Sequence, residues 1–129
     1  MNDFISPQIV GKKILIADDD PDILDAMKMM LEMEGYDVMT TLDGERVASM
    51  FKYRPDLLFL DIWMSGIDGR DICRTIKSKK ATKDTPVIMI SASTSIGKSA
   101  QDSGADDFIA KPFQMKDILS KVEKHISSN

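Results

Sequence analysis

Cysteine is almost absent from this chain: Cys73 is the only one in 129 residues, so no disulfide can close within it. One thiol suits a reducing compartment, and the expected location is the cytoplasm. Long apolar runs are missing too. No stretch approaches the roughly 20 residues that a membrane helix needs, so no membrane attachment is expected. The N-terminal segment MNDFISPQIVGKK has no basic start leading into an apolar stretch, the pattern that marks a secretion signal. A surplus of positive charge is also lacking. Lys and Arg number 17 against 21 Asp and Glu, a net charge of −4. That argues against direct nonspecific binding to nucleic acid, where basic side chains must neutralise phosphates. There is no internal repeat, low-complexity tract or linker.

What is present fits one domain over residues 1–129, with its core at about 12–127. A chain of this length buries roughly two-thirds of the surface its unfolded form exposes, so it needs no staples. The apolar fraction of 43% and charged fraction of 29% are ordinary for a folded soluble protein. The ten methionines read mostly as core filler at helical spacing, as at Met27 and Met30. Cys73 reads as one more buried apolar residue.

Short apolar runs alternate with amphipathic segments five times. The runs are Ile14–Ala17, Val38–Thr40, Leu57–Leu60, Val87–Ile90 and Phe108–Ala110. The first, third and fourth are apolar throughout, as strands covered on both faces of a parallel sheet must be. Between them lie segments of helical period. In the first, Ile23, Met27, Met30, Leu31 and Glu34 share a face; Asp20 caps it, Pro21 suits its first turn and Gly35 ends it. The second spans about Asp43 to Tyr53 and buries Val47, Met50 and Phe51. The third covers roughly Gly69 to Ser78, with Ile72, Cys73 and Ile76 inward. The last begins near Gln114 and carries Ile118, Leu119, Val122 and Ile126. The fourth, Thr94 to Ser103, has Ile96 as its one large apolar residue and is rich in serine, an indifferent helix former. It is expected to be short and loosely held. Such alternation implies right-handed crossovers and a three-layer, doubly wound α/β sheet. Ligands bind such sheets beyond the carboxyl ends of the strands.

Those ends carry the chemistry. The first strand delivers Asp18, Asp19 and Asp20; the third, Asp61; the fourth, Ser91 and Ala92; the fifth leads to Lys111 and Pro112. Taken singly, each has a plain structural reading. Asp20 suits a helix cap, Asp61 a turn, and Lys-Pro loop punctuation. Together at one rim they place several carboxylates, a hydroxyl and an ammonium around one small pocket. Carboxylates that close cannot all stay charged without a cation, and a few carboxylates with a phosphate suit Mg²⁺. A carboxylate can also act as nucleophile and form an aspartyl phosphate. Phosphoryl transfer then needs mainly positioning and neutralised oxygens.

The blocks KILIADDDPDIL, DLLFLDIWMSGIDG, PVIMISAS and GADDFIAKPF occur in order across about Lys12 to His125. In these the chain resembles the receiver domains of bacterial response regulators. The resemblance implies a flavodoxin-like sheet of order 2-1-3-4-5 with five helices on its two faces. It implies that Asp61 is the phosphoacceptor in a phosphorelay or two-component system, served by a histidine kinase or phosphotransfer protein, or slowly by small phosphodonors. Asp18, Asp19, Asp61 and the Trp63 carbonyl would hold Mg²⁺, with Mn²⁺ able to substitute. Lys111 and Ser91 would contact the phosphoryl group, with Trp63 and Ala92 beside it. Ser91 and Phe108 would be the switch pair, and the Lys111–Pro112 bond would be cis. Such a domain catalyses only its own phosphotransfer and dephosphorylation. It would act on a downstream protein or an output domain, and a homodimer through helix four, strand five and helix five follows by analogy.

Two residues depart from the family pattern. Ser65 stands where a proline is often found, and Trp63 is bulky beside the phosphoryl position, where its indole would shield an acyl phosphate from water. The chain ends at Asn129, just past helix five, so it is expected to be either a single-domain regulator or a receiver cut from a longer protein. His125, near that helix's C-terminus, reads as a favourable partner for the helix dipole. An electron carrier binding flavin is disfavoured because Asp18–Asp20 would repel the flavin phosphate. A haloacid-dehalogenase-like phosphatase would need a second Asp where Trp63 stands. The remaining alternative is a receiver-like interaction module that works without phosphorylation.

Overall fold

The computed structural model describes residues 11–92 and 97–126. Strand β1 (Lys13–Ala17) leads through helix α1 (Pro21–Met33) to β2 (Asp37–Thr41). A helical segment with α2 (Val47–Met50) at its centre follows, then β3 (Leu57–Asp61), a two-stranded hairpin of β4 (Trp63–Met64) and β5 (Ile67–Asp68), and α3 (Gly69–Ser78). The chain finishes with β6 (Val87–Ser91), α4 (Gly97–Asp102), β7 (Asp107–Ala110) and α5 (Met115–Ile126). Five strands form one parallel sheet in the order β2-β1-β3-β6-β7. Because β4 and β5 lie outside it, this is the expected 2-1-3-4-5 order of the flavodoxin-like fold.

The strand sequences explain the order. In β3 and β6 every residue is buried, and in β1 every residue from Ile14 onward. These three apolar strands take the middle of the sheet, where helices cover both faces. The strands with polar positions, β2 with Asp37 and Thr40 and β7 with Asp107, take the edges.

Strand residues alternate between faces, and this splits the core in two. On one face Ile14, Ile16, Phe59 and Ile90 pack with Leu24, Met27 and Leu31 of α1 and Ile118, Val122 and Ile126 of α5. On the other, Leu15, Leu58, Leu60 and Met89 pack with Val47, Cys73, Ile76 and Ala100. Each fully buried large aliphatic side chain contributes about 1.5–3 kcal/mol. Helix α5 therefore has three such anchors, whereas α4 buries only Ala100.

Several expectations need correction. The α1 face centres on Leu24, Met27 and Leu31, an i, i+3, i+7 stripe. Ile23 and Met30 flank it half-buried, and Glu34 is the exposed C-cap. The second helix is not continuous: a 3₁₀ turn at Gly44–Arg46, four α residues and a 3₁₀ turn at Phe51–Tyr53 replace it. The Ser49 hydroxyl donates to the Arg46 carbonyl (2.9 Å), a local bond that competes with regular helix. Left-handed Arg54 (φ 57) then ends the segment. Within it Val47 is buried, whereas Met50 and Phe51 are half-buried. Of the anticipated fourth helix, residues 94–96 lie outside the described ones, and the described part forms α4 over Gly97–Asp102.

His125 has a side-chain partner beyond the helix dipole. Its Nε2 lies 2.8 Å from Asp107 on β7, which also accepts from Lys121 Nζ at 2.7 Å. Burial opposes ionisation of Asp107. The hydrogen bonds from Lys121 and His125 outweigh it and hold that carboxyl well below the usual range. The cluster fastens α5 to the sheet edge.

Candidate functional site

The parallel sheet brings the carboxyl ends of its strands to one rim, and each end presents a polar residue there. Asp18 follows β1, is fully buried, and donates its N–H to the Thr41 carbonyl at the end of β2 (3.2 Å). The N–H of Asp20 donates to Asp18 Oδ1 (2.9 Å), turning the chain into α1. Asp20 Oδ1 accepts from the N–H groups of Asp22 and Ile23 at 2.9 and 3.4 Å. Asp20 is thus a helix cap.

Asp61 ends β3 and is 6% exposed. Its Oδ1 accepts the Trp63 main-chain N–H at 3.3 Å. Exposed Asp19 is held from across the rim, its Oδ2 accepting the Ser65 N–H at 3.2 Å. One carboxylate oxygen from each of Asp18, Asp19 and Asp61 lies within 4.8 Å of the others. Ser91, buried, ends β6, and its carbonyl accepts the Lys111 N–H (2.7 Å). The Lys111–Pro112 peptide is cis, as the resemblance implied. Lys111 Nζ lies 3.1 Å from Asp18 Oδ2 and 3.5 Å from Asp61 Oδ2. Phe108 is half-buried against the second core, on the side of β7 where Gly97 begins α4.

Asp18 and Asp61 share one ammonium here, and the balance shows in the acidity of Asp61. Burial, then repulsion from Asp18, push the Asp61 carboxyl up to about 6; Lys111 and the Trp63 N–H pull against them. Burial opposes the charge on Lys111, but Asp18 and Asp61 outweigh it and raise its pKa. Asp18 Oδ2 is buried without a hydrogen bond, its contact with Lys111 being one of charge. A buried carboxylate oxygen outside any hydrogen bond among the described residues, beside two more carboxylates, fits a hard divalent cation with oxygen ligands.

Two contributors were not recognised from sequence. A Cβ on Gly69 would collide with the Asp61 carbonyl oxygen and lie 3.1 Å from Ile62 Cα, so only glycine lets α3 start this close to Asp61. The Asp68-Gly69 pair was the available signal. The other is the turn joining β4 and β5, where Ser65 and Gly66 both have positive φ (48° and 86°). A two-residue turn with both residues left-handed is the type I′ hairpin. Proline, fixed near φ −65° and without an N–H, could neither form this turn nor bond Asp19. The departure at Ser65 is therefore structural.

The fold is thus a doubly wound parallel sheet with an acidic cluster and a lysine at its carboxyl rim. The family model for the response regulator receiver domain matches residues 14–123, and the chain belongs to that family. It is therefore a signalling domain of two-component systems. The chain is 40% identical over 113 residues to the DNA-binding dual master transcriptional regulator RpaA of Synechocystis sp., covering 85% of this chain and 47% of that protein. It spans about half the length of the curated relatives it matches. Among solved structures, a putative response regulator from Chloroflexus aurantiacus is similar with TM-score 0.85 and 28% identity, over 91% of this chain and 98% of that one. TrrA from Thermotoga maritima, in complex with Mg²⁺ and a beryllium fluoride, has TM-score 0.79 and 34% identity over 88% and 97%.

Two outcomes are expected. A carboxyl whose pKa is raised on folding stabilises the protein below its unfolded value and loses that contribution as pH climbs through about 6. Without divalent cations at pH 7.5, Asp61→Asn should therefore be about 2 kcal/mol more stable than wild type, several degrees in Tm. The gap should shrink toward zero near pH 4, as thermal unfolding across pH would show. Ser65→Pro should cost about 1–3 kcal/mol in urea unfolding, whereas Ser65→Gly should be neutral or stabilising. A proline variant as stable as wild type would contradict the turn assignment.

Proposed function

We propose that Asp61 accepts a phosphoryl group in a Mg²⁺-dependent reaction. The convergence of Asp18, Asp19, Asp61 and Lys111 at the rim carries this reading. Asp18, Asp19, Asp61 and the Trp63 carbonyl would hold the cation, which Mn²⁺ could replace. When bound, it offsets the carboxylates and the incoming phosphoryl oxygens.

An Asp61 carboxylate oxygen attacks the phosphorus of a phosphohistidine on a histidine kinase or phosphotransfer protein, or of a small phosphodonor. The P–O bond to Asp61 forms as the bond to the donor breaks. Lys111 exchanges part of its pairing with Asp61 for one phosphoryl oxygen, and the Ser91 hydroxyl donates to another, with Ala92 alongside. Hydrolysis by water later restores the carboxylate.

The phosphoryl group carries roughly −1.5 to −2 where the carboxylate carried a single negative charge, and its new acceptor oxygens draw Ser91 toward them. Phe108 then turns into the space behind, and the surface of α4, β7 and α5 changes shape. Helix α4, with one buried side chain, resists this least. That surface would engage a downstream protein, an output domain or a second copy of the chain. The net charge of −4 supports no direct role in nucleic-acid binding; a DNA contact would belong to an output domain. Among the described residues no helix is long and apolar enough to cross a membrane. With the single cysteine, that supports a cytoplasmic setting.

Intact mass after incubation with Mg²⁺ and acetyl phosphate tests the chemistry. Wild type should gain one phosphoryl group, about 80 Da, and Asp61→Asn or metal-free protein none. Absence of an adduct on folded wild type with Mg²⁺ would favour the phosphorylation-independent interaction module. The Trp63 indole is 57% exposed while its main chain is anchored to Asp61, which leaves it free to cover the phosphoryl group. Trp63→Asn should shorten the phosphoryl lifetime several-fold; an unchanged dephosphorylation rate would remove the shielding role.

A further inference from the structure

We propose that Arg70 is a positioning residue that ties α4 to the phosphoacceptor loop, so that the state of Asp61 reaches α4 through a polar contact in addition to Ser91 and Phe108. The inference rests on the proposed phosphoacceptor role of Asp61.

Arg70 stands in the first turn of α3. Its Nε bonds both oxygens of Asp68 (2.9 and 3.2 Å) and its Nη2 bonds Oδ2 (2.7 Å). Asp68 also caps α3 by accepting the Arg70 main-chain N–H at 2.9 Å. A guanidinium gripped this way is planar and pre-organised, with one arm left to aim. That arm, Nη1, donates to the Ser99 hydroxyl on α4 at 2.6 Å, across 29 residues of sequence. The side chains of Arg70 and Asp68 are 29% and 23% exposed, so the contact is partly shielded from water.

What makes the contact consequential is what lies at each end. Among the described residues helix α4 spans Gly97–Asp102 and buries only Ala100. Its Lys98–Asp102 pair, at 3.7 Å, is exposed and therefore weak. A single charge-assisted hydrogen bond is a large share of what holds such a helix. At the other end, Gly69 separates Asp68 from Arg70. It packs directly on the Asp61 carbonyl and donates its N–H to Ile62 O at 2.7 Å. Residues 61–62 and 68–70 are therefore held as one unit, and a shift of the Asp61 main chain displaces the Arg70 fork. Ser99 must follow it or lose the bond.

Hydrogen exchange of the α4 amides tests this in wild type, Arg70→Met, Arg70→Lys and Ser99→Ala, each with and without Mg²⁺ plus beryllofluoride. Without ligand, each variant should raise α4 exchange about five- to tenfold, the size expected for one hydrogen bond partly screened by solvent. Global unfolding of Ser99→Ala and Arg70→Lys should stay near wild type. Lysine should fail to rescue, because an ammonium cannot fork onto Asp68 and reach Ser99 together. Should Arg70→Met not fold, Ser99→Ala, which removes one hydroxyl, carries the test. Wild-type exchange rates in α4 of Ser99→Ala would overturn the tie.

With ligand, α4 exchange should change in wild type and change less in Ser99→Ala; equal changes would overturn the coupling. A wild type that does not respond to Mg²⁺ and beryllofluoride at all would overturn the phosphoacceptor reading and the coupling with it. The ligand-free comparison would then judge the tie alone.

Discussion

Repulsion among three carboxylates with one ammonium between them is the constraint on which the structure turns. At 4.8 Å, two carboxylates repel by roughly 3 kcal/mol at an effective dielectric of about 20. Asp18 is fully buried and Asp61 nearly so, which rules out relief by solvent. Lys111 offsets part of the cost, and protonation of Asp61 near pH 6 another part. A divalent cation is the remaining remedy, and the proposed chemistry follows from that shortage of positive charge.

The fold supplies what holds such a site together. Strands β1, β3 and β6 are buried along almost their whole length, and that burial anchors the ends on which Asp18, Asp61 and Ser91 sit. The loops are then fixed by main-chain donors: the N–H groups of Asp20, Trp63 and Ser65 each hold one of the three carboxylates. Rigidity at the rim contrasts with α4, which has little buried surface and one strong polar contact to α3. A domain built this way anchors its pocket on buried strands and leaves α4 with a single buried side chain among its described residues. On the proposed reading, a phosphoryl group on Asp61 would act beside a helix that little buried surface holds.

Much of this was legible in the sequence. Unbroken apolar runs identified three strands covered on both faces, and the order that puts β2 and β7 at the edges came with the resemblance. The site residues were legible because the rule that ligands bind beyond the carboxyl ends of parallel strands says where to look. Other features were not. The break-up of the second helix into 3₁₀ and α turns is a matter of local backbone geometry, which apolar periodicity does not record. The β4–β5 hairpin is carried by four residues and two positive φ angles, too short for an alternation signal. Leu24 was passed over because a neighbouring set of apolar residues shares much of the same helical face. The partners of His125 and Arg70 lie 18 and 29 residues away in sequence, and only the packed sheet brings them together.

Calorimetric titration with Mg²⁺ at pH 6.5, in two buffers of different ionisation heat, tests the central claim most directly. The account requires one cation per chain, with proton release as the partly protonated Asp61 gives up its proton to binding. Asp18→Asn should lose most of the affinity. A wild type that takes up no Mg²⁺ at millimolar concentrations, or an Asp18→Asn variant that binds it equally well, would contradict the account.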